Sequence, residues 1–310
     1  MLEQVTMLKT LFIYLHYKLI IMKVKLLLCP LILILLFTSS FKMESKTTTG
    51  QSKVQNLNIS FLLDLSDRID PKKNFDIYQR DLQYIKSVEK AFINHIKKKK
   101  VLLLNDQMQV FFDPIPKMPG IDKLSQQLKV NFDKSVNRMN ILDVEKNFSE
   151  IPSKIYQNAI KSGHYVGSDI WKFFKNNVEN YCIKEKHRNI LVILTDGYMY
   201  HKKSIFLNGG KSSYITPAFI KTKKLTSANY LATIKKNGLG FIPFEYNLKD
   251  LEIIVLGINP SEQNPYEEDV IKQYWSDWFK AMKVKKFELQ TTGLPSDVEI
   301  VINNFIKEKP

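Results

Sequence analysis

The chain has 310 residues, of which 44% are hydrophobic, 12% aromatic and 25% charged, and 46 Lys+Arg against 31 Asp+Glu give it a formal charge of +15. It is long and apolar enough for one large domain or two small ones, and the composition excludes a collagenous, wholly disordered or polytopic membrane chain. The two cysteines, Cys29 and Cys182, fall in different regions and exclude both a disulfide framework and a zinc knuckle.

A charge of this size draws phosphate-bearing or lipid-bearing partners. Nearly all of it is lysine, because the only arginines are Arg68, Arg80, Arg138 and Arg188. Nucleic-acid readers lean on the guanidinium fork, so nucleic acid is not expected as a partner. The run Lys97 to Lys100 reads as a solvated helix end.

Residues 26–37, LLLCPLILILLF, follow Met22, Lys23 and Lys25 and precede Thr38, Ser39 and Ser40. A basic start, a short apolar centre and a small-residue end are the anatomy of a secretory signal, and the run is shorter than the ~20 residues of a spanning helix. Residues 1–40 are therefore expected to be a signal peptide with its true start at Met22, or else an uncleaved N-terminal anchor. The protein is expected to be exported, whether periplasmic, secreted or held by its N-terminus, with membrane contact through that segment alone. Residues 41–56 form a polar tether, and 57–309 a single domain.

Within that domain NISFLLDL (58–65), NILVILT (189–195) and residues 251–256 are continuous apolar runs of the kind found in strands covered on both faces. Residues 101–112 read as extended, with a hairpin turn at Asn105-Asp106. Tyr78, Leu82, Ile85, Val88, Phe92 and Ile96 recur at helical spacing; further helices are expected at 148–161, 168–183 and 296–308, and a last strand at 284–289. Asn264, Pro265 and Glu267 suggest a capping box opening another helix, whose face carries Val270, Ile271, Tyr274, Trp275, Trp278, Phe279 and Met282 as core. Strands alternating with helices imply an α/β fold with a doubly wound, mostly parallel sheet flanked by helices. Residues 198–248 interrupt the alternation as an insertion. Cys182 reads as buried packing, and His164, His187 and His201 as surface or loop residues.

In such a sheet ligands gather at the carboxyl ends of strands, where the winding reverses. The first strand ends Asp64-Leu65-Ser66-Asp67-Arg68, a later one ends Thr195-Asp196-Gly197, and Gly167-Ser168-Asp169 opens a helix between them. Two carboxylates and two hydroxyls make a hard-oxygen set suited to Mg²⁺ or Mn²⁺. The plainer alternative is that Asp64 caps a helix and Asp196-Gly197 is a turn.

The sequence here resembles the von Willebrand factor A (VWA) domain family, whose first strand ends Asp-x-Ser-x-Ser, followed by a Gly-Thr-type loop and a buried strand ending Asp-Gly. The resemblance spans roughly residues 57–309. It implies a metal-ion-dependent adhesion site at Asp64, Ser66, Ser168 and Asp196, with Asp169 as a substitute ligand, and a bound ion whose open position takes an acidic group of a partner protein. Arg68 departs from the pattern, standing where the second serine belongs. Folded inward, it would compete with the metal; the expectation is that it points outward as a rim charge. Together with Tyr198 and Tyr200 it would then meet the partner, with Tyr214 and Phe219 as further aromatic anchors. The expected function is an exported, non-enzymatic binding protein. The alternatives are a Mg²⁺-dependent hydrolase of phosphate or nucleic-acid substrates and a basic envelope protein that binds anionic polymers without metal.

Overall fold

Every residue of β1 (Asn56–Leu63) after the first is buried, as is every residue of β4 (His187–Leu194) and β8 (Leu251–Ile258), which is why each reads as an unbroken apolar run. The computed structural model describes residues 13–19, 22, 55–163, 165 and 167–307. Residues 13–19 are helical and belong to a unit separate from the one that begins at Gln55. The apolar run 26–37 and tether residues 41–54 lie outside the described residues.

Six strands form the main sheet in the order β3-β2-β1-β4-β8-β9, where β2 is Asp106–Phe111, β3 Val130–Phe132 and β9 Lys286–Thr291. All neighbours run parallel except β2 and β3. This is the doubly wound α/β architecture, and its winding reverses between β1 and β4. One face is covered by α1 (Ile77–Lys97), α2 (Ile121–Gln127), α3 (Arg138–Ser162) and α8 (Pro295–Lys307). The other is covered by α4 (Ile170–Asn176), a π-helical turn at Val178–Cys182 and α7 (Glu267–Ala281), with α5 (Pro217–Thr222) and α6 (Tyr230–Asn237) beside them.

Several local expectations are corrected. Residues 101–103 form a 3₁₀ turn leading into a single strand, so there is no hairpin at Asn105-Asp106. The α1 stripe is rotated, burying Ile77, Asp81, Tyr84, Ile85 and Val88 and leaving Tyr78 and Leu82 half-buried. Asn264 does not cap α7, which starts at Glu267; its side chain accepts instead from the Tyr266 N–H. The insertion carries a small sheet of its own, β5 (Leu207–Asn208), β6 (Lys211–Ser212) and β7 (Gly240–Phe241). A Cβ at Gly210 would lie 2.1 Å from the Asn237 carbonyl oxygen, so only glycine lets the β5–β6 turn pass α6. The Ile242 carbonyl then accepts from the indoles of both Trp171 and Trp278, each at 3.0 Å, pinning the insertion to α4 and α7. Cys182 is buried, and burial pushes its thiol up to about 12.

Candidate functional site

The carboxyl ends of β1 and β4 lie side by side, joined by the Asp64 N–H donating to the Leu194 carbonyl at 3.0 Å. Asp64 is buried and both carboxylate oxygens are engaged: Oδ1 accepts from the Ser66 N–H at 2.9 Å, and Oδ2 from the Thr195 hydroxyl at 2.8 Å. The chain turns sharply after Asp196. Gly197 has φ +92°, and a Cβ there would stand 2.8 Å from an Ile271 methyl, so the turn demands glycine at this position.

Arg68 does not point outward. Its residue is 3% exposed, and its guanidinium folds back beneath the strand ends. Nε donates to the Asp64 carbonyl at 3.0 Å and lies 3.6 Å from Asp64 Oδ2; Nη2 donates to Asp81 Oδ2 at 2.5 Å and to the Leu194 carbonyl at 3.0 Å. The physical reason is Asp81, a carboxylate buried in the apolar face of α1, which also accepts from the Tyr156 hydroxyl at 2.7 Å. Burial opposes the charge on Arg68, yet Asp81 and Asp64 hold its pKa above the usual arginine value. For Asp81 burial wins, raising the carboxyl against the pull of Arg68.

Asp196 is partly exposed and less well compensated. Its Oδ1 accepts from the Tyr198 N–H at 3.0 Å. Burial first, and the Asp64 carboxylate second, push its carboxyl up to about 7 against the pull of Arg68. Ser168 reaches this edge of the sheet through a bridge between its backbone and that of Tyr200, and its buried hydroxyl has no hydrogen-bond partner among the described residues. Asp169 is turned to other work: it accepts from the Lys172 N–H at 3.1 Å as the α4 cap, from the Ser204 hydroxyl, and faces His201 Nδ1 at 3.1 Å. His201 is thus paired with a carboxylate and is more than a loop residue.

Among the proposed contact residues, Arg68 and Phe219 are buried, while Tyr198 is half-buried, donating to Glu267 Oε1 at 2.6 Å and accepting from the Ser261 N–H at 3.0 Å. Tyr200 is 49% exposed, edge-on to the half-buried Tyr214. Sequence reasoning missed Asp81 and Tyr156. The available signal was an acid exactly one turn after Ile77 and one before Ile85 on a buried stripe.

The hard oxygens of the type that Mg²⁺ and Mn²⁺ take are, at this edge, the Asp196 carboxylate, the hydroxyls of Ser66 and Ser168, and the lone pairs that Asp64 keeps beyond its two accepted hydrogen bonds. The partnerless Ser168 hydroxyl and the raised Asp196 carboxyl fit an added cation, while the fixed charge of Arg68 limits how tightly it is held. Among the described residues no three His, Cys, Asp or Glu side chains group as a metal cage.

No family model matches the chain, and no curated protein matches it in sequence. In structure it is similar to proximal thread matrix protein 1 of the mussel byssus, at 14% identity and a TM-score of 0.36, over 81% of this chain and 47% of that one. It is similar to the pilus adhesin SpaC of Lactobacillus rhamnosus GG at 12% and 0.39, over 83% and 30% of the two chains. An aerotolerance-related membrane protein of Bacteroides fragilis NCTC 9343 aligns at 11% and 0.35, over 82% and 100%. The chain thus spans about half the length of the mussel protein and under a third of the adhesin. At such values the similarity reaches no further than the arrangement of helices and strands.

Proposed function

We propose that this is an exported, non-enzymatic VWA-like binding protein that engages a partner protein at the carboxyl edge of β1 and β4. Asp196, Ser66 and Ser168, with Asp64 behind them, would hold a weakly bound Mg²⁺ or Mn²⁺, whose charge would attract an acidic group of the partner, with Tyr200 on the rim. The observation that carries this reading is that one edge of the sheet holds both the Asp196 carboxyl, pushed up to about 7, and the buried, partnerless Ser168 hydroxyl, each of which a cation would satisfy. Titration calorimetry of the full chain with MnCl₂ tests it. Weak binding that disappears in Asp196→Asn is expected, and equal heats from both proteins would refute the metal site.

A second reading has its own support: the buried Arg68 guanidinium already pairs with Asp64 at 3.6 Å, so the carboxylate is partly compensated without an added cation and the edge would bind its partner without metal. Capture of a partner from envelope extract that persists in EDTA selects this reading. Phosphatase and nuclease assays on the purified chain are expected to be blank, and turnover abolished by Asp196→Asn would favour a Mg²⁺-dependent hydrolase instead.

A further inference from the structure

The opposite edge of the sheet has the reverse chemistry. There α1 ends in the run Lys97 to Lys100, and the chain continues directly into the 3₁₀ turn Val101–Leu103, whose three aliphatic side chains are 48%, 76% and 49% exposed. Three consecutive outward aliphatics beside lysines are unusual on a water-facing surface and are the pattern of a segment that lies in a lipid interface. Behind the turn a groove of about 400 Å³, lined by Ile96, Val101, Leu104, Val136, Ile141 and Leu142 among others, carries the apolar surface inward.

The surrounding edge is basic. His187 Nε2 lies 2.7 Å from the Asn105 carbonyl, the Asn189 amide donates to the Asp250 carbonyl, and Arg188 donates to the carbonyls of Phe305 and Ile306 at 2.6 and 2.5 Å. These contacts bring the loops before β2, β4 and β8 and the end of α8 to one side of the molecule. Exposed lysines there are Lys98, Lys100, Lys134, Lys186, Lys249, Lys283 and Lys307, against exposed Asp133, Asp143, Glu185 and Asp250. Lys99 is spent internally, on Asp106 at 2.6 Å, and Lys97 on Glu145 at 3.2 Å. The chain also enters the described domain on this edge, at Gln55 and Asn56, after the apolar run 26–37.

We infer that this edge is a membrane-docking face: Val101, Leu102 and Leu103 insert into the interface of a bilayer while the lysines around them meet anionic headgroups. The occupant is a lipid surface, because the face pairs exposed aliphatic side chains with diffuse lysine charge and its sequence enters from an apolar segment. Nucleic acid would use the charge and leave the aliphatics without a role. Docked this way, the β1–β4 carboxyl edge faces away from the membrane. Membrane contact then extends beyond the N-terminal segment to the domain itself.

The test uses the full chain with vesicles of phosphatidylcholine alone and with one quarter phosphatidylglycerol. All three native tryptophans, Trp171, Trp275 and Trp278, are buried, so Leu102→Trp supplies the one exposed indole. Its emission should shift to the blue on anionic vesicles and stay put on neutral ones, and raised salt should reverse the shift. Leu102→Ser with Leu103→Ser, and separately Lys98→Glu with Lys100→Glu, should weaken cosedimentation with anionic vesicles at least tenfold while circular dichroism is unchanged. An unmoved Leu102→Trp emission, or binding by both double variants equal to wild type, overturns the proposal. So does binding of duplex DNA that the lysine variant abolishes in a protein that ignores vesicles.

Discussion

Arg68 and Asp81 meet at 2.5 Å, guanidinium to carboxylate, with side chains 2% and 1% exposed. Arg68 is therefore bound to a carboxylate on the neighbouring helix, and the two residues make physical sense only together. Removing one leaves the other's charge buried and unpaired.

Arg68→Ser should cost about 3–5 kcal/mol, as breaking a buried pair does. Urea denaturation measures it. Pairing it with Asp81→Asn should return much of the loss, and in that double variant Mn²⁺ affinity at the β1–β4 edge should rise at least tenfold. Unchanged metal affinity would mean that Arg68 does not compete for the site.

Asp196 makes stability depend on pH. A carboxyl raised from 3.8 to about 7 in the folded state keeps a proton that the unfolded chain has shed. Its contribution is whole below the unfolded value and is lost as pH rises through the folded one. Between about pH 5 and about pH 8 wild type should lose on the order of 2 kcal/mol relative to Asp196→Asn. Saturating Mn²⁺ should flatten that difference by favouring the ionised form.

Ser168→Ala deletes a buried hydroxyl that has no partner among the described residues. Stability should change by less than about 0.5 kcal/mol, or rise, while Mn²⁺ binding weakens. A loss of about 1 kcal/mol or more without metal would show that the hydroxyl is satisfied within the fold.

Arg188 is held by Glu252 through Nε at 3.1 and 3.2 Å and through Nη2 at 2.7 Å, and it closes the end of α8 as well. Arg188→Lys keeps the charge but not the fork, and should cost about 3 kcal/mol. Amide exchange should be fastest in α8.

Gly210→Ala should cost about 1–3 kcal/mol through overpacking against α6. The loss of protection is expected within residues 205–242 while the main sheet keeps its own. A global change in exchange would mean that the small sheet folds as one unit with the large one.

The parts of this fold legible in the sequence are those whose burial leaves a local trace. β1, β4 and β8 are covered on both faces, so each is a solid apolar run. β3 and the short strands of the insertion are two or three residues long, too short for any period to show. At the site, Asp64 and Asp196 stand out because they end readable strands. The direction of Arg68 is not legible because it is set by Asp81, thirteen residues on, and by Tyr156 on α3, contacts that exist only once the helices are laid on the sheet.

The meeting of Trp171 and Trp278 on the Ile242 carbonyl makes the protein's intrinsic fluorescence one-sided. Trp275 packs in the same layer, and the core on the α1 side of the sheet holds no tryptophan. Quenching or red-shift during denaturation therefore reports the fate of the insertion and its supporting helices alone. Far-ultraviolet dichroism weighs both layers, so the separation between the two melting curves measures directly how strongly the sheet couples one half of the molecule to the other.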